Sequence, residues 1–442
     1  MTRFLALLAC SVLALPALDH VVVDWAAAEG AVPPRLYGIN LWGGMDPDIA
    51  TAEGYRAGLE YLAPEAVRLH SAEMLGTGRQ SWLNHETKAW NAERIATVMQ
   101  ALDPVLPATR MITIPHWPDW MKGEGGRLDT AKTTEYADFC ASLVRIVNVD
   151  LGMKVQYWEP VNEIENRYKG KLDEMGGLFK ACADAMRAVD PSIKICGAAW
   201  THPYQGEGIA RFLDAAGTVD VATYHNYGSG DKDASDDVLW DAGIGIAGGA
   251  RGLRKQLDER GMADTEIWLG EHNVFWTWRA DHEKKRMAKM TGALFDALNY
   301  VQLARSGAVA VGLAWNDHDG TYGKMVGEEF RLRPAGHLMH LLNRDMVGEM
   351  VLAQTTTGKD VTAMAVVGAG HRAVLLINRG EERELRLVQV DASAPPTAWT
   401  RAILANSELT SVKEDAAAFT APAHSVTVLR WPPIAPAPAP AP

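Results

Sequence analysis

KVQYWE at residues 154–159, GLFKACADAMRAV at 177–189 and IKICGA at 193–198 form one strand–helix–strand unit, and its reading decides the fold. The outer runs are short and apolar, with the length of strands. The middle one is longer and amphipathic, with the length of a helix. Two strands separated by such a crossover run parallel. The same alternation continues on both sides. Short apolar runs recur at Arg35–Asn40, Ala66–His70, Arg110–Pro115, Asp220–Tyr224, Glu266–Gly270 and Ala308–Ala314. Amphipathic stretches lie among them at Ala92–Leu102, Thr134–Val149, Gly249–Arg260 and His282–Ser306. Eight such runs in about 300 residues match the size of a closed (β/α)8 TIM barrel of the α/β class. An open doubly wound sheet is the rival. It places a Gly-rich phosphate loop after its first strand, and GINLWGG at residues 38–44 is not GxGxxG.

After about residue 340 the texture changes. Val361–Val367, Arg372–Asn378, Leu385–Val390, Thr400–Ala405 and Ser425–Trp431 are alternating, β-branched runs split by turns. They predict a C-terminal antiparallel β-sandwich. His20–Val23 shares that texture and is expected to add a strand to it. The expected domains are this strand within 18–28, the barrel over 29–340 and the sandwich over 341–431. Apolar residues make up 48% of the 442, enough for two cores.

The ends read differently. Arg3, the apolar run Phe4–Leu15 and Pro16-Ala17 predict an export signal over 1–17 and a secreted or periplasmic protein. That run is too short to span a bilayer, and no later stretch is apolar enough to do so. Residues 432–442 form a Pro/Ala-rich tail expected to be extended. Without the signal, Cys140, Cys182 and Cys196 remain. The odd count rules out a full disulfide framework, and buried thiols are the plainer reading. A net charge of -12, with both signs interspersed, argues against nucleic acid or anionic membranes as partners.

A barrel of this type builds its active site at the C-terminal ends of its strands. Arg68, His116, Trp117, Asn162, Glu163, His225, Tyr227, Glu271, Trp276 and Trp315 all fall there. Tryptophan recurs at this rim more than a generic barrel requires. Sugars present C–H faces that stack on indoles, and hydroxyls that bind Asn, His, Arg and carboxylates. Glycoside cleavage needs two carboxyl groups, one protonated and one ionised. Glu163 ends the fourth strand and Glu271 the seventh, so they are placed to face each other across the mouth. Glu159 lies earlier in its strand, and Glu165 lacks a preceding Asn.

These residues carry a resemblance. Trp158-Glu159-Pro160-Val161-Asn162-Glu163 resembles the Asn-Glu signature of clan A glycoside hydrolases, and Trp268-Leu269-Gly270-Glu271 resembles the clan's nucleophile strand. Arg68, His225-Asn226-Tyr227 and Trp315 agree with it. Val22-Val23-Asp24 and Pro422–Leu429 resemble the shared sandwich of family 39 and its neighbour family 51. The resemblance implies retaining hydrolysis, with Glu163 as acid/base and Glu271 as nucleophile. It also implies that Arg68 and Tyr227 support Glu271 and that Asn162 binds the sugar 2-hydroxyl. The implied substrate is a β-xyloside or a bacterial exopolysaccharide. An arabinofuranosidase, a transglycosylase and a non-catalytic glycan-binding barrel are the alternatives. Two residues depart from the pattern: Ile164 stands where Pro is usual, and His272 where an aromatic is common.

Each residue also has a plainer reading. Glu271 would be a strand-end acid paired with Arg279 or Arg68, and Asn162 would form an Asx turn. Tyr227 and Trp315 would be packing residues, and His116 and His225 core histidines. No His-x-His, HExxH or carboxylate triad is present, so neither metal nor cofactor is expected.

Overall fold

The computed structural model describes residues 18–390, 399–414 and 417–432. The predicted export signal and the tail beyond 432 lie outside the described residues. One compact unit runs from Ala31 to Val347. Its strands are β2 (Tyr37–Leu41), β3 (Ala66–Leu69), β4 (Thr109–Thr113), β5 (Tyr157–Glu159), β6 (Lys194–Trp200), β7 (Val221–Ser229), β8 (Glu266–Phe275) and β9 (Val311–Ala314). All are parallel and close into a barrel, with β9 pairing β2 at Gly312↔Tyr37 and Leu313↔Gly38. Closure needs glycine at 38, where a Cβ would meet the Ala66 carbonyl oxygen at 2.7 Å.

The helices are α1 (Glu53–Leu62), α2 (Ala92–Leu102), α3 (Thr133–Val144), α4 (Leu172–Val189), α5 (Gly206–Ala216), α6 (Asp236–Gly245), α7 (Gly248–Asp258), α8 (Met290–Ser306) and α9 (Pro334–Asp345). Four of them, α1, α5, α6 and α9, were not among the sequence-predicted stretches. The predicted helix at His282–Ser306 starts only at Met290. Its first residues are tied into turns, because the Asp281 carboxylate accepts the Met287 N–H at 2.8 Å. Helix α9 belongs to the barrel unit, so that unit ends at Val347, beyond the boundary expected at 340. Among the described residues, no helix is long and apolar enough to cross a membrane. Cys140, Cys182 and Cys196 are buried free thiols.

Inside the barrel, side chains two apart on a strand point the same way. Ala66, Met111, Tyr157, Cys196, Val221 and Trp268 form an apolar layer near the N-terminal end. Below it, Arg35 pairs with Glu266 at 2.7 Å and lies over the Trp268 ring. Two residues further along the same strands come Arg68, Thr113, Glu159 and Thr223, all buried. The interior therefore turns polar toward the mouth.

The second unit contains β1 (Asp19–Ala31) and the residues from Gly348 on. Its other strands are β10 (Glu349–Thr355), β11 (Val361–Gly368), β12 (His371–Asn378), β13 (Arg383–Val390), β14 (Trp399–Ala405), β15 (Glu408–Glu414), β16 (Ala418–Ala421) and β17 (Ser425–Trp431). They form one sheet in the order β15-β14-β17-β12-β11-β10-β1-β13-β16. The pairings β10–β11, β11–β12, β12–β17, β14–β17, β14–β15 and β13–β16 are antiparallel, and β1 on β13 is parallel with Asp19↔Leu385 through Asp24↔Val390. The sheet folds over on itself, since Trp399 near one edge meets Phe419 at the other with ring centroids 6.1 Å apart. Val21, Val23, Trp25, Leu376, Leu385 and Leu429 lie in the shared core.

Candidate active site

The sequence-predicted carboxylates meet because of an irregularity in β8. Strict alternation from Trp268 would point Gly270 and His272 inward. Instead the register against β7 shifts between Leu269 and Glu271: Leu269 pairs Tyr224, whereas Glu271 pairs His225. One extra residue on one strand flips the faces of all that follow. Glu271 thus turns into the barrel. His272 turns out, where its ring meets that of Tyr300 on α8. The carbonyl of Gly270, the extra residue, accepts from Asn40 Nδ2 at 2.9 Å.

Arg68 is the hub of the site and is wholly buried. Its Nη1 donates to Glu271 Oε1 and to Asn40 Oδ1, each at 2.8 Å. Its Nη2 donates to Glu159 Oε2 at 3.0 Å and to Asn162 Oδ1 at 2.6 Å. Glu159 in turn accepts from the hydroxyls of Thr113, at 2.8 Å, and Thr223. Glu159 is a partner the sequence did not single out. It offsets the buried cation, and its signal was its inward position two residues beyond Tyr157.

The second oxygen of Glu271 accepts from the Tyr227 hydroxyl at 2.6 Å. Burial alone would raise this carboxyl, but His225, Arg68, His70 and the Tyr227 hydrogen bond outweigh it and hold the group at about 2. Glu271 is therefore an ionised, buried carboxylate. Burial and the Glu271 charge push Tyr227 upward, so it stays a donor.

Glu163 is different: its side chain is 36% exposed. Its backbone is left-handed, with φ 51°, a conformation that costs a residue with a Cβ about 1 kcal/mol or more and clusters at functional sites. Pro at 164 would bias Glu163 away from helical conformations, so Ile164 suits this backbone. The Glu163 carboxyl is hydrogen-bonded to His225 Nδ1 at 2.7 Å. His225 is buried between the two acids, 3.6 Å from Glu271 Oε2. Burial works to lower this imidazole, yet Glu271 and Glu163 together raise it.

Glu163, His225 and Glu271 each offer a ligand atom within 4.8 Å of the others, a spacing that a metal ion could bridge. Both Glu271 oxygens already accept hydrogen bonds, however, and the Arg68 cation lies against one of them. That charge opposes a second cation.

The other predicted residues separate. Trp315 lies beside His70, ring centroids 5.9 Å apart, and stays partly exposed at the mouth. Trp276 is 65% exposed, with its indole lying directly over Gly230. His116 is partly exposed and bonded to the Trp117 carbonyl at 2.7 Å. Trp117 is a correction to the sequence reading. It is wholly buried between Tyr136 and Tyr168, beneath the rim, and offers no face to a sugar. A tryptophan after a strand reads the same in either role. Tyr322, in the loop after β9, was not among the predicted residues; burial first, then the charges of Asp319 and Glu271, push its hydroxyl upward.

No family model matches the sequence, and no curated protein is similar to it by sequence. Solved structures are similar in fold. A family 39 β-xylosidase from Caulobacter crescentus is 16% identical with a TM-score of 0.66, the match covering 93% of this chain and 99% of that one. A family 51 α-L-arabinofuranosidase from Thermotoga petrophila RKU-1 is 15% identical with a TM-score of 0.69, covering 93% and 99%. A glucosidase from Croceicoccus marinus is 14% identical with a TM-score of 0.71, covering 94% and 99%. The chain has the fold of these enzymes over nearly the whole length of both partners: a TIM barrel with a β-sandwich.

Proposed function

We propose that the chain is an exported, retaining glycoside hydrolase of a β-linked poly- or oligosaccharide. One observation carries the reading: carboxylate oxygens of Glu163 and Glu271 lie within 4.8 Å of each other. Retaining enzymes place their carboxyl groups about 5–5.5 Å apart, whereas inverting ones leave about 6.5–9.5 Å for a water. The two environments also differ in the sense the chemistry needs. Glu271 is buried, ionised and aimed by Arg68 and Tyr227, as a nucleophile should be. Glu163 stands at the open mouth, where a leaving oxygen can reach it.

In the first step Glu163 gives its proton to the leaving oxygen while Glu271 attacks the anomeric carbon. In the second, Glu163 takes a proton from water as that water displaces Glu271. With its Oδ1 held by Arg68, Asn162 keeps its amide N–H groups for a sugar hydroxyl. Trp315 supplies a platform. The names of the similar structures, a xylosidase, an arabinofuranosidase and a glucosidase, support glycoside cleavage. Export rests on the N-terminal run and is checked by sequencing the mature N-terminus of secreted protein.

The mechanism is tested with an aryl glycoside whose ring fluorine slows the second step. Mass spectrometry should find the sugar on the peptide containing Glu271, and NMR should show that the first product keeps its anomeric configuration. An inverted product, or full turnover by Glu163→Gln on a substrate with a poor leaving group, would sink the reading.

A further inference from the structure

Arg167 lies four residues beyond Glu163, in the turn Glu165–Tyr168 at the barrel mouth. Its guanidinium stacks over the Trp117 ring, 5.6 Å from the centroid. It is partly exposed, yet Nη1 is buried without a hydrogen-bond partner. Among the described residues it makes no ion pair. The acid nearest in sequence, Glu165, turns the other way and accepts the Thr201 N–H at 2.7 Å. Beneath the guanidinium, the Trp117 indole N–H is also buried without a partner. The stacked pair therefore carries two unanswered donors, one of them charged.

An unsatisfied buried donor costs about 1–3 kcal/mol, and guanidinium offers only donors, in a fork that matches paired oxygens. The missing group is thus an acceptor with negative charge. His116 faces the same place. Burial first, and after it the charges of Arg167 and Lys122, lower its imidazole against the opposing Trp117 carbonyl and Asp119. Lys122 is itself paired with Asp119, which leaves Arg167 as the open cation of the group.

We propose that Arg167 binds the carboxylate of an acidic sugar in the glycan that enters this site, which makes the substrate a uronate-bearing polysaccharide. The proposal rests on the glycosidase reading for its setting, although the binding itself does not require turnover. Sulfate esters present a similar fork of oxygens and are set against carboxylates in the test.

Turnover is measured on a glucuronate-containing β-linked polysaccharide, on its carboxyl-reduced form and on a sulfated neutral polymer. For the wild type, kcat/KM should be at least tenfold higher on the acidic polymer than on the reduced one. Arg167→Gln should bring that ratio close to one, and Arg167→Lys should keep part of it. A wild type that does not distinguish the two forms, or a preference that survives Arg167→Gln, overturns the proposal. Preference for the sulfated polymer overturns the carboxylate assignment. Absence of turnover on every glycoside would sink the glycosidase reading alone. Calorimetric titration with a glucuronate oligosaccharide then decides: tenfold weaker binding by Arg167→Gln supports the proposal, and equal binding ends it.

Discussion

Removing the Arg68 guanidinium would leave Glu159 and Glu271 as two buried negative charges facing each other. Breaking a buried ion pair from one side costs about 3–5 kcal/mol. Arg68→Met is therefore expected to lower the unfolding free energy by about that amount in urea denaturation, and to abolish turnover. A variant as stable as its parent would show that the hub does not carry this energy. Tyr227→Phe tests a smaller interaction. A hydrogen bond to a charged group contributes about 1.5–3 kcal/mol, so kcat/KM should fall roughly 10- to 150-fold. The sign of the pH effect is fixed, because this bond helps hold Glu271 at about 2. Without it the carboxyl titrates higher, and the acid limb of kcat/KM moves to higher pH. An acid limb that stays in place would refute the assignment of that limb to Glu271.

Strand β8 turns a local irregularity into the geometry of the proposed site. At Gly270 a Cβ would meet His225 Nε2 at 2.9 Å, the ring that lies between the two acids. Gly270→Ala should cost about 1–3 kcal/mol of stability through overpacking. Displacing His225 and the Glu271 backbone by an ångström should cost about 100-fold in kcat. Equal kcat in variant and parent would mean that the strand absorbs the methyl elsewhere. The bulge also explains what could be read from the sequence. Alternation of strands and helices was enough for the barrel, and position toward the mouth end of a strand brought Arg68, Glu163, His225, Tyr227 and Glu271 into one list. Which face each residue shows depends on pairing with a distant strand. For that reason the outward turn of His272 could not be read, and the burial of Trp117, in a loop, was equally hidden. Short helices such as α5 were hidden by their Gly-rich starts.

Across the whole molecule, several buried and half-buried imidazoles set an acid limit. Burial holds His70, His116, His272, His337 and His340 below the ordinary imidazole value, His272 at about 4. The folded chain therefore binds fewer protons at these sites than the unfolded one. The stability they confer is full above about pH 6.5 and is lost as pH falls through the folded values. Glu271 adds a second loss between the ordinary carboxylate value of 4.5 and about 2. His225, raised, works in the opposite direction but is one group against five. The urea midpoint should drop between pH 7.5 and pH 5, and a flat profile would contradict the burial of these rings. All five lie in the barrel unit, so tryptophans there should report the change first. The sheet unit has a different vulnerability, one of timing. Strand β1 lies between β10 and β13, and its Trp25 bonds to Gln389, 364 positions later. At about 5–20 residues per second, a ribosome needs roughly 20–70 s to supply that partner. The first strand made is thus among the last to be paired. Its apolar face must wait through synthesis of the entire barrel, so the completion of the C-terminal sheet, and not barrel closure, decides when the newborn chain is safe from aggregation.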